Sequence, residues 1–351
     1  MKKIFSNSFI STTAAAAIGL LGQSVTAQAI SFSITDRNPG NPGAVDTALD
    51  ALEDSVNSTF SDAMLDDFLG SMANAARGSF AGLATDGPVR GDLFSISTGG
   101  GLALAAQSDF SLKTGQNELP GIGIAGQPVV TIGFNAKRLP RAATLGLDPA
   151  KVDYFVNFMS IDLSDVSPTA GFSMSSFGIM GRYWLKDAKS YLWAFRWDGL
   201  SVTTGLQYSA LSASINGDLN FSSGSGVDAV NWAPDAAFSI RTKAFTIPVD
   251  LQTGFSLLKF WSIYGGTGLR FNFGSAETDG GISGDITNDA AGGAVGLGTL
   301  DLDSPAQKPA IISQRFMLGT QLNFGPAKFS VEAGYATPKV ADLALNFRFV
   351  W

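Results

Sequence analysis

The strongest constraint on the fold is a period of two in hydropathy that recurs along most of the chain after residue 90. In the last segment, Leu343, Leu345, Phe347, Phe349 and Trp351 share one face of an extended strand, while small or polar residues occupy the other face. Similar segments upstream bring the predicted strands to ten: 92–106, 124–136, 152–163, 171–185, 199–213, 237–257, 261–274, 310–324, 328–337 and 341–351. Most of them reach the length of about ten residues with which a tilted strand crosses a bilayer.

The residue types on the polar faces of these segments indicate what the sheet contacts on that side. They carry mainly Gly, Ser, Thr, Asn and Arg, and charged residues make up only 15% of the chain. A soluble two-sheet sandwich would expose more Lys and Glu, whereas small polar residues suit a crowded, hydrated barrel interior. The sequence therefore predicts an all-β fold, a transmembrane antiparallel β-barrel of about 10–14 strands with an N-terminal α-helical segment. A soluble exported β-protein is the alternative fold.

The lengths of the connections predict the orientation of the barrel. An even number of strands puts both barrel ends on the periplasmic side, and periplasmic turns are short. The turn at 325–327 and the one near Lys259 are then periplasmic, and the long segments 214–236 and 275–309 are external.

One aromatic segment leaves the strand number open. Tyr191–Trp197 alternates aromatic with other residues and precedes Asp198-Gly199, a strong hairpin signal. It is either an additional strand or an aromatic-rich turn at the membrane interface. An additional strand would require a second one to keep the strand number even, and the total would then be twelve.

The N-terminus predicts export. Lys2 and Lys3 precede a short apolar stretch that ends in Ala27-Gln28-Ala29, the pattern of a secretory signal peptide cleaved after Ala29. We therefore divide the chain into a signal peptide (1–29), an N-terminal helical periplasmic or plug segment (30–88) and the outer-membrane barrel (89–351).

The composition excludes several classes of function. With no Cys and no His, the chain can form no disulfide, no thiolate nucleophile, no ordinary zinc site and no Ser-His-Asp triad. We expect no enzymatic activity and no cofactor. A net charge of -7 without a basic cluster argues against nucleic acid as a partner.

Between Gly43 and Arg77 the period changes to that of an amphipathic helix. Its apolar face includes Val45, Leu49 and Leu52, and the other face is acidic. The helix either packs on the periplasmic mouth with a solvated face or is inserted in the lumen as a plug that gates passage.

Charged residues on the predicted inner face are the candidate lining of the lumen. They are Arg182, Asp250, Arg270, Arg315, Glu332 and Arg348. A structural network of paired charges is the favoured interpretation, because isolated buried charges are costly; a charge-selective constriction is the functional one. The acidic segment 275–309 matches no established calcium-loop pattern, and we expect it to be a solvated, mobile external loop.

The signal peptide, the alternating strands and the ending Asn346-Phe347-Arg348-Phe349-Val350-Trp351 together resemble outer-membrane β-barrel proteins of diderm bacteria. In that group such a C-terminal strand is the signal read by the barrel assembly machinery, which the resemblance assigns to Phe347, Phe349 and Trp351. A helical segment before a barrel is also similar to the N-terminal hatch of long-chain fatty-acid transporters. Asn38-Pro39-Gly40 and Asn41-Pro42-Gly43 are only loosely similar to that family's Asn-Pro-Ala motif, so no site is carried over.

These features predict a channel or transporter for small solutes, including hydrophobic ones, with an N-terminal helical plug. The alternative is a closed barrel that acts as a surface adhesin or a structural outer-membrane protein through its long external loops. The partners we expect are outer-membrane lipid, the barrel assembly machinery and a small solute or lipid-like ligand.

Overall fold

The computed structural model describes residues 31–59, 62–82, 94–106, 122–139, 144, 146–163, 170–218, 220–288, 290–302 and 306–351. The predicted signal peptide lies outside these residues. The helices are α1 (Gly43–Thr59) and α2 (Asp62–Ser79). The strands are β1 (Ser31–Thr35), β2 (Phe94–Ala106), β3 (Ile122–Asn135), β4 (Val152–Asp162), β5 (Ala170–Lys186), β6 (Lys189–Ser190), β7 (Phe195–Asp218), β8 (Phe221–Ser223), β9 (Val230–Trp232), β10 (Asp235–Leu257), β11 (Trp261–Asp279), β12 (Gly281–Asn288), β13 (Gly293–Asp301), β14 (Ile312–Phe324), β15 (Ala327–Ala336) and β16 (Val340–Val350).

Ten long strands form a closed antiparallel barrel. The pairing order is β10-β11-β14-β15-β16-β2-β3-β4-β5-β7, and an additional pairing of β7 with β10 closes the ladder. The last strand pairs with the first barrel strand, Val340 opposite Ala105 and Val350 opposite Ser95. The short β6 pairs only with β7. The ten strands predicted from hydropathy are those that form the barrel.

The outer face of the barrel is apolar. Phe316 and Leu318 of β14 are 50% and 66% exposed, while Arg315 and Met317, which alternate with them, are buried. A row of aromatic side chains follows the register across five neighbouring strands, from Phe158 through Phe177, Tyr208 and Phe245 to Phe273. Such an outer face suits a lipid environment, and aromatic residues gather where a barrel meets the membrane interface.

The prediction of a hairpin at Asp198-Gly199 is wrong. Strand β7 begins at Phe195 and runs through both residues, and the hairpin that joins β5 to β7 lies before it. Gly199 has φ +97° beside a register shift between β5 and β7, so it forms an irregularity within the strand. The left-handed conformation that makes Asp-Gly a turn signal also suits a bulge.

A second sheet covers one mouth of the barrel. Its order is β1-β13-β12-β9-β8, and it combines the N-terminal strand with the connections between β7 and β10 and between β11 and β14. The expectation of a mobile loop at 275–309 is therefore corrected: residues 275–279 extend β11, and β12 and β13 are paired strands. We call α1 together with β1, β8, β9, β12 and β13 the cap, the mouth beneath it the capped mouth, and the end that holds Trp351 the C-terminal mouth.

The segment expected to be one helix is two helices, and they lie in different places. Helix α1 packs on the cap sheet, and α2 lies inside the barrel. No helix among the described residues has both the length and the hydropathy of a membrane span.

Candidate functional site: the occupied lumen

Helix α2 occupies the half of the lumen next to the capped mouth. Its start packs near that mouth, where Leu69 contacts the cluster of Ile240 and Ala276. Immediately after its last residue, Phe80 is buried among side chains about halfway down the barrel, including Phe155 and Met180. Every described residue from Leu69 to Ala81 is buried. The chain therefore enters the lumen from the capped mouth.

Small residues make room for a helix in a barrel of only ten strands. On the helix these are Ala75, Ala76 and Gly78, and they meet inward-facing alanines of β2 and β3. Gly123 lies directly against the helix backbone: a Cβ built there would overlap the backbone of Ser71. Barrels of about eight to ten strands are usually filled by their own side chains, and a helix with its side chains needs about 10 Å. The missing side-chain volume on both partners supplies that space.

A few polar contacts hold α2 to its surroundings. The Arg77 guanidinium donates to the Thr337 carbonyl oxygen at 3.1 Å, and the Ser79 hydroxyl donates to Gln127 Oε1 at 3.2 Å. Near the capped mouth, Gln307 Nε2 donates to Asp66 Oδ1 at 2.7 Å. The helix is thus linked to a barrel turn, to the wall and to the connection that carries part of the cap.

The cap has a hydrophobic core of its own. Helix α1 contributes Leu49, Leu52 and Val56, which pack against Trp232 and Phe32 of the sheet. Phe32 and Trp232 have ring centroids 4.5 Å apart, and Trp232 Nε1 donates to the Gly284 carbonyl oxygen. The core makes the cap a folded unit over the capped mouth.

Polar contacts link α1 to the N-terminal strand. Arg37 donates to Asp50 at 2.6 Å and to Glu53 at 3.0 Å, and the hydrogen bond to Asp50 raises the pKa of the Arg37 guanidinium. The Asn57 amide bonds both the N–H and the carbonyl of Phe32, so it satisfies the edge of β1 that faces away from β13.

The predicted lumen charges are all buried, and the structure pairs four of them. Arg315 lies 2.8 Å from Glu332 and also pairs with Asp342. Arg270 approaches Asp250 at 3.9 Å. These contacts agree with a structural network, in which attraction between neighbours offsets the loss of water.

Arg182 and Arg348 lie apart from these pairs. The Arg182 guanidinium lies 5.2 Å from the centroid of the Phe155 ring, and its NH2 group donates to Gln252 at 3.5 Å. Arg348 is opposite Lys328 in the register, and both are buried. The six predicted residues therefore share the inner face, and ion pairs between described residues join four of them.

Two buried acids of the lumen were not predicted. Asp342, on β16, completes the pairing of Arg315, and Asp198, on β7, accepts hydrogen bonds from the Ser256 hydroxyl. The alternation in the last strand already placed Asp342 on the same face as Arg348, and that was the signal available. The interpretation of Asp198-Gly199 as a turn excluded Asp198 from the candidates for the lumen.

The C-terminal half of the lumen is lined by buried polar side chains. Ser201 Oγ, Gln207 Oε1 and Asn346 Oδ1 are buried atoms that have no hydrogen-bond partner among the described residues. A buried polar atom without a partner is costly, so such sites normally bind water or a ligand. The inner face of this half of the lumen is therefore polar.

The residues of the predicted assembly signal lie on the outer face of β16 and at its end. Phe347, Phe349 and Trp351 are 42%, 45% and 66% exposed. Their recognition by the barrel assembly machinery stays a prediction. Among the residues that the structure describes, no group of three or more acidic side chains is arranged to hold a metal ion.

Solved structures with an overall similarity to this chain are barrels of low sequence identity. The transport unit of the autotransporter AIDA-I from Escherichia coli is 10% identical, with a TM-score of 0.34, over 83% of this chain and 97% of that one. The translocator domain of the autotransporter NalP from Neisseria meningitidis is 13% identical, with a TM-score of 0.32, over 79% and 93%. The toluene transporter TbuX from Ralstonia pickettii is 9% identical, with a TM-score of 0.26, over 81% and 99%. The comparison with curated proteins gave no match.

The pairing of the strands in this chain identifies its fold. A closed antiparallel barrel with an apolar outer face and a polar interior is the architecture of outer-membrane β-barrels, and this protein is one of them. A family model described as Lsa36-like matches residues 30–351, so the chain belongs to the Lsa36-like family.

Proposed function

We propose that the protein is an outer-membrane channel or transporter for small solutes, closed in this structure by α2. The observation that carries the proposal is the helix itself, which fills the lumen where a purely structural barrel would use wall side chains. Withdrawal of α2 would empty the half of the lumen next to the capped mouth over about the width of a helix, about 10 Å.

The far half of the lumen supports a hydrated route. The polar atoms of Ser201, Gln207 and Asn346 require water or a polar solute as partners. Buried charges nearby are largely paired, so the route is polar without a strong excess of either sign. We expect neutral or weakly polar solutes to pass more readily than multiply charged ones.

The lengths of the connections favour a periplasmic C-terminal mouth. The turns there at 258–260 and 325–326 are short, whereas the connections 219–234 and 280–311 at the capped mouth are long and partly folded. Periplasmic turns are typically short and external loops long. In this orientation the cap lies outside the cell, so residues 31–59 are external. The first barrel strand after them, β2, nevertheless begins at the periplasmic mouth.

Solute uptake by liposomes tests the proposal. Full-length protein and a variant that lacks residues 31–82 are reconstituted separately, and swelling in a small neutral sugar is recorded. We expect faster swelling with the deletion variant because its lumen holds no helix. Equal and negligible swelling, with both proteins folded by heat-modifiable gel mobility, would reject a channel.

The cap favours a second candidate function. A channel that needs only a plug has no need of a five-stranded sheet with a buried Trp232 over its mouth. An external folded unit of this kind suits a surface adhesin or a structural surface protein. Binding of a surface partner by full-length protein but not by the variant lacking 31–82, without solute flux from either, would favour this candidate.

A further inference from the structure

A groove lies on the outer face of the barrel next to the capped mouth. Its volume is about 310 Å³, and it is formed by β4, β5, β7 and β10. Each strand contributes two outward-facing residues that flank one inward-facing residue. The outward-facing residues are Ser or Ala on β5 and β7, and Arg241 and Lys243 on β10. The small side chains of β5 and β7 therefore leave a depression beside two basic residues.

Three successive rows of outward-facing residues give the level of this groove in the membrane. The first row is apolar and consists of Val156, Ile179 and Leu206. The second, nearer the capped mouth, is aromatic and consists of Phe158, Phe177, Tyr208 and Phe245. The third crosses the groove and consists of Ser160, Ser175, Ala210 and Lys243. Because aromatic residues gather at the membrane interface, the groove lies at the level of the lipid headgroups.

Lys243 is the cation that the groove offers to a ligand. Its side chain is exposed and forms no ion pair with a described residue. Its register partners are the small residues Ala210 and Ser275, which leave the ammonium group accessible from both sides. Arg241, by contrast, is already paired with Asp279 at a distance of 3.1 Å.

The acidic residue of the groove lies at its other edge. Asp162 is on β4, three strands away from β10. Neighbouring strands are about 4.8 Å apart, so the backbones at Asp162 and Lys243 are separated by about 14 Å or more. The Lys243 end of the groove is therefore suited to an anion.

The chemistry of the groove matches the phosphate of a lipid. An ammonium group and serine hydroxyls, such as those of Ser175 and Ser212, can donate hydrogen bonds to phosphate oxygens. Below the aromatic row, Ile179 and Leu206 are 49% and 50% exposed and give the acyl chains of the same lipid an apolar surface. Basic residues at a membrane surface attract anionic lipids in this way.

We propose that this groove binds the headgroup of one anionic phospholipid, with Lys243 as the counter-ion of its phosphate and the serine hydroxyls as further donors. The site goes beyond the proposed function, because lipid binding needs no passage through the barrel. Strands β7 and β10 are joined by the connection 219–234, which contributes two strands to the cap. The bound lipid therefore contacts the two strands that carry this part of the cap.

Native mass spectrometry of the full-length protein in detergent tests the charge of the ligand. Phosphatidylglycerol and phosphatidylcholine are compared, because both carry the phosphate but the choline ammonium neutralises it. We expect one phosphatidylglycerol to bind about fivefold more tightly than phosphatidylcholine. Lys243→Gln should remove this preference, whereas Lys259→Gln, at an exposed turn of the C-terminal mouth, should keep it.

A second pair of variants tests the shape of the groove without a change of charge. Ala210→Phe fills the groove between Ser175 and Lys243 and should also remove the preference for phosphatidylglycerol. Leu206→Phe, on the same face of the same strand, should keep it. Heat-modifiable mobility shows that each variant is folded.

Equal binding of the two lipids by the full-length protein would overturn the site. Equal losses in Lys243→Gln and Lys259→Gln would show that net charge, and not this groove, sets the preference. Displacement of phosphatidylglycerol by excess sn-glycerol 3-phosphate would show that the groove takes a soluble phosphate, and would overturn the lipid as its occupant.

Discussion

Arg315 is the residue whose loss we expect to destabilise the barrel most. Its buried side chain lies between Glu332 and Asp342. Arg315→Met would leave two carboxylates without a counter-ion in the lumen, and we expect the free energy of unfolding to fall by about 3–5 kcal/mol. Urea titration of the protein refolded into lipid measures this loss.

The control is an exposed ion pair on the same barrel. Arg241 and Asp279 lie 3.1 Å apart and are 50% and 55% exposed. Arg241→Met should cost less than about 1 kcal/mol. Neutralising the partners as well, in Arg315→Met with Glu332→Gln and Asp342→Asn, should recover most of the loss. A similar cost for both single variants would contradict the assigned role of burial.

Gly123 tests the contact between α2 and the wall. A Cβ at this position would overlap the backbone of Ser71, whereas a Cβ at Gly100, on the outer face, would meet nothing within 4 Å. Gly123→Ala should therefore displace α2, and Gly100→Ala should not. The readout is the rate of thiol labelling of Ala75→Cys, a fully buried position. Equal labelling rates in the two glycine variants would show that α2 does not pack on β3.

At the level of elements, the barrel was predictable and the cap was not. The barrel strands are long, and their neighbours in space follow in sequence, so the period of two identifies them. The cap sheet pairs Ser31–Thr35 with strand β13, whose partner residues lie near position 300. Its strands β8 and β9 span only three residues each, too few to show a period.

The sequence predicts that the N-terminal segment is helical but does not predict where it lies. Its amphipathic period indicated a helix, but the same apolar face fits a mouth or a lumen. The small residues of α2 and the inner alanines of β2 and β3 are visible in the sequence, yet which strands face the helix depends on closure of the barrel. The inner charges were placed by strand parity, whereas their pairing depends on the register between strands.

Trp232 tests whether the cap folds as a separate unit. Trp232→Ala removes the largest buried side chain of the cap core and should cost the cap about 3–5 kcal/mol. We expect the connections 219–234 and 280–311 to become sensitive to protease while the barrel keeps its heat-modifiable mobility. Trp193→Ala, at a position 87% exposed, is the control and should change neither. Loss of the barrel in Trp232→Ala would show that the cap and the barrel fold as one unit.

At the scale of the whole molecule, the two mouths should face opposite compartments. An epitope inserted between Pro39 and Gly40, in an exposed turn before α1, should bind antibody on intact cells. An epitope in the turn at Gly325 and Pro326 should bind antibody only after the outer membrane is permeabilised. The reverse pattern would place the cap in the periplasm.

Single-channel conductance tests the central claim, that α2 closes a passage through the barrel. Full-length protein, Gly100→Ala, Gly123→Ala and the variant lacking residues 31–82 are recorded in planar bilayers, after each is shown to be folded by heat-modifiable mobility. We predict little or no conductance from full-length protein and Gly100→Ala, intermittent openings from Gly123→Ala and steady conductance from the deletion variant. Silence from all four, or equal currents with and without residues 31–82, would contradict the account.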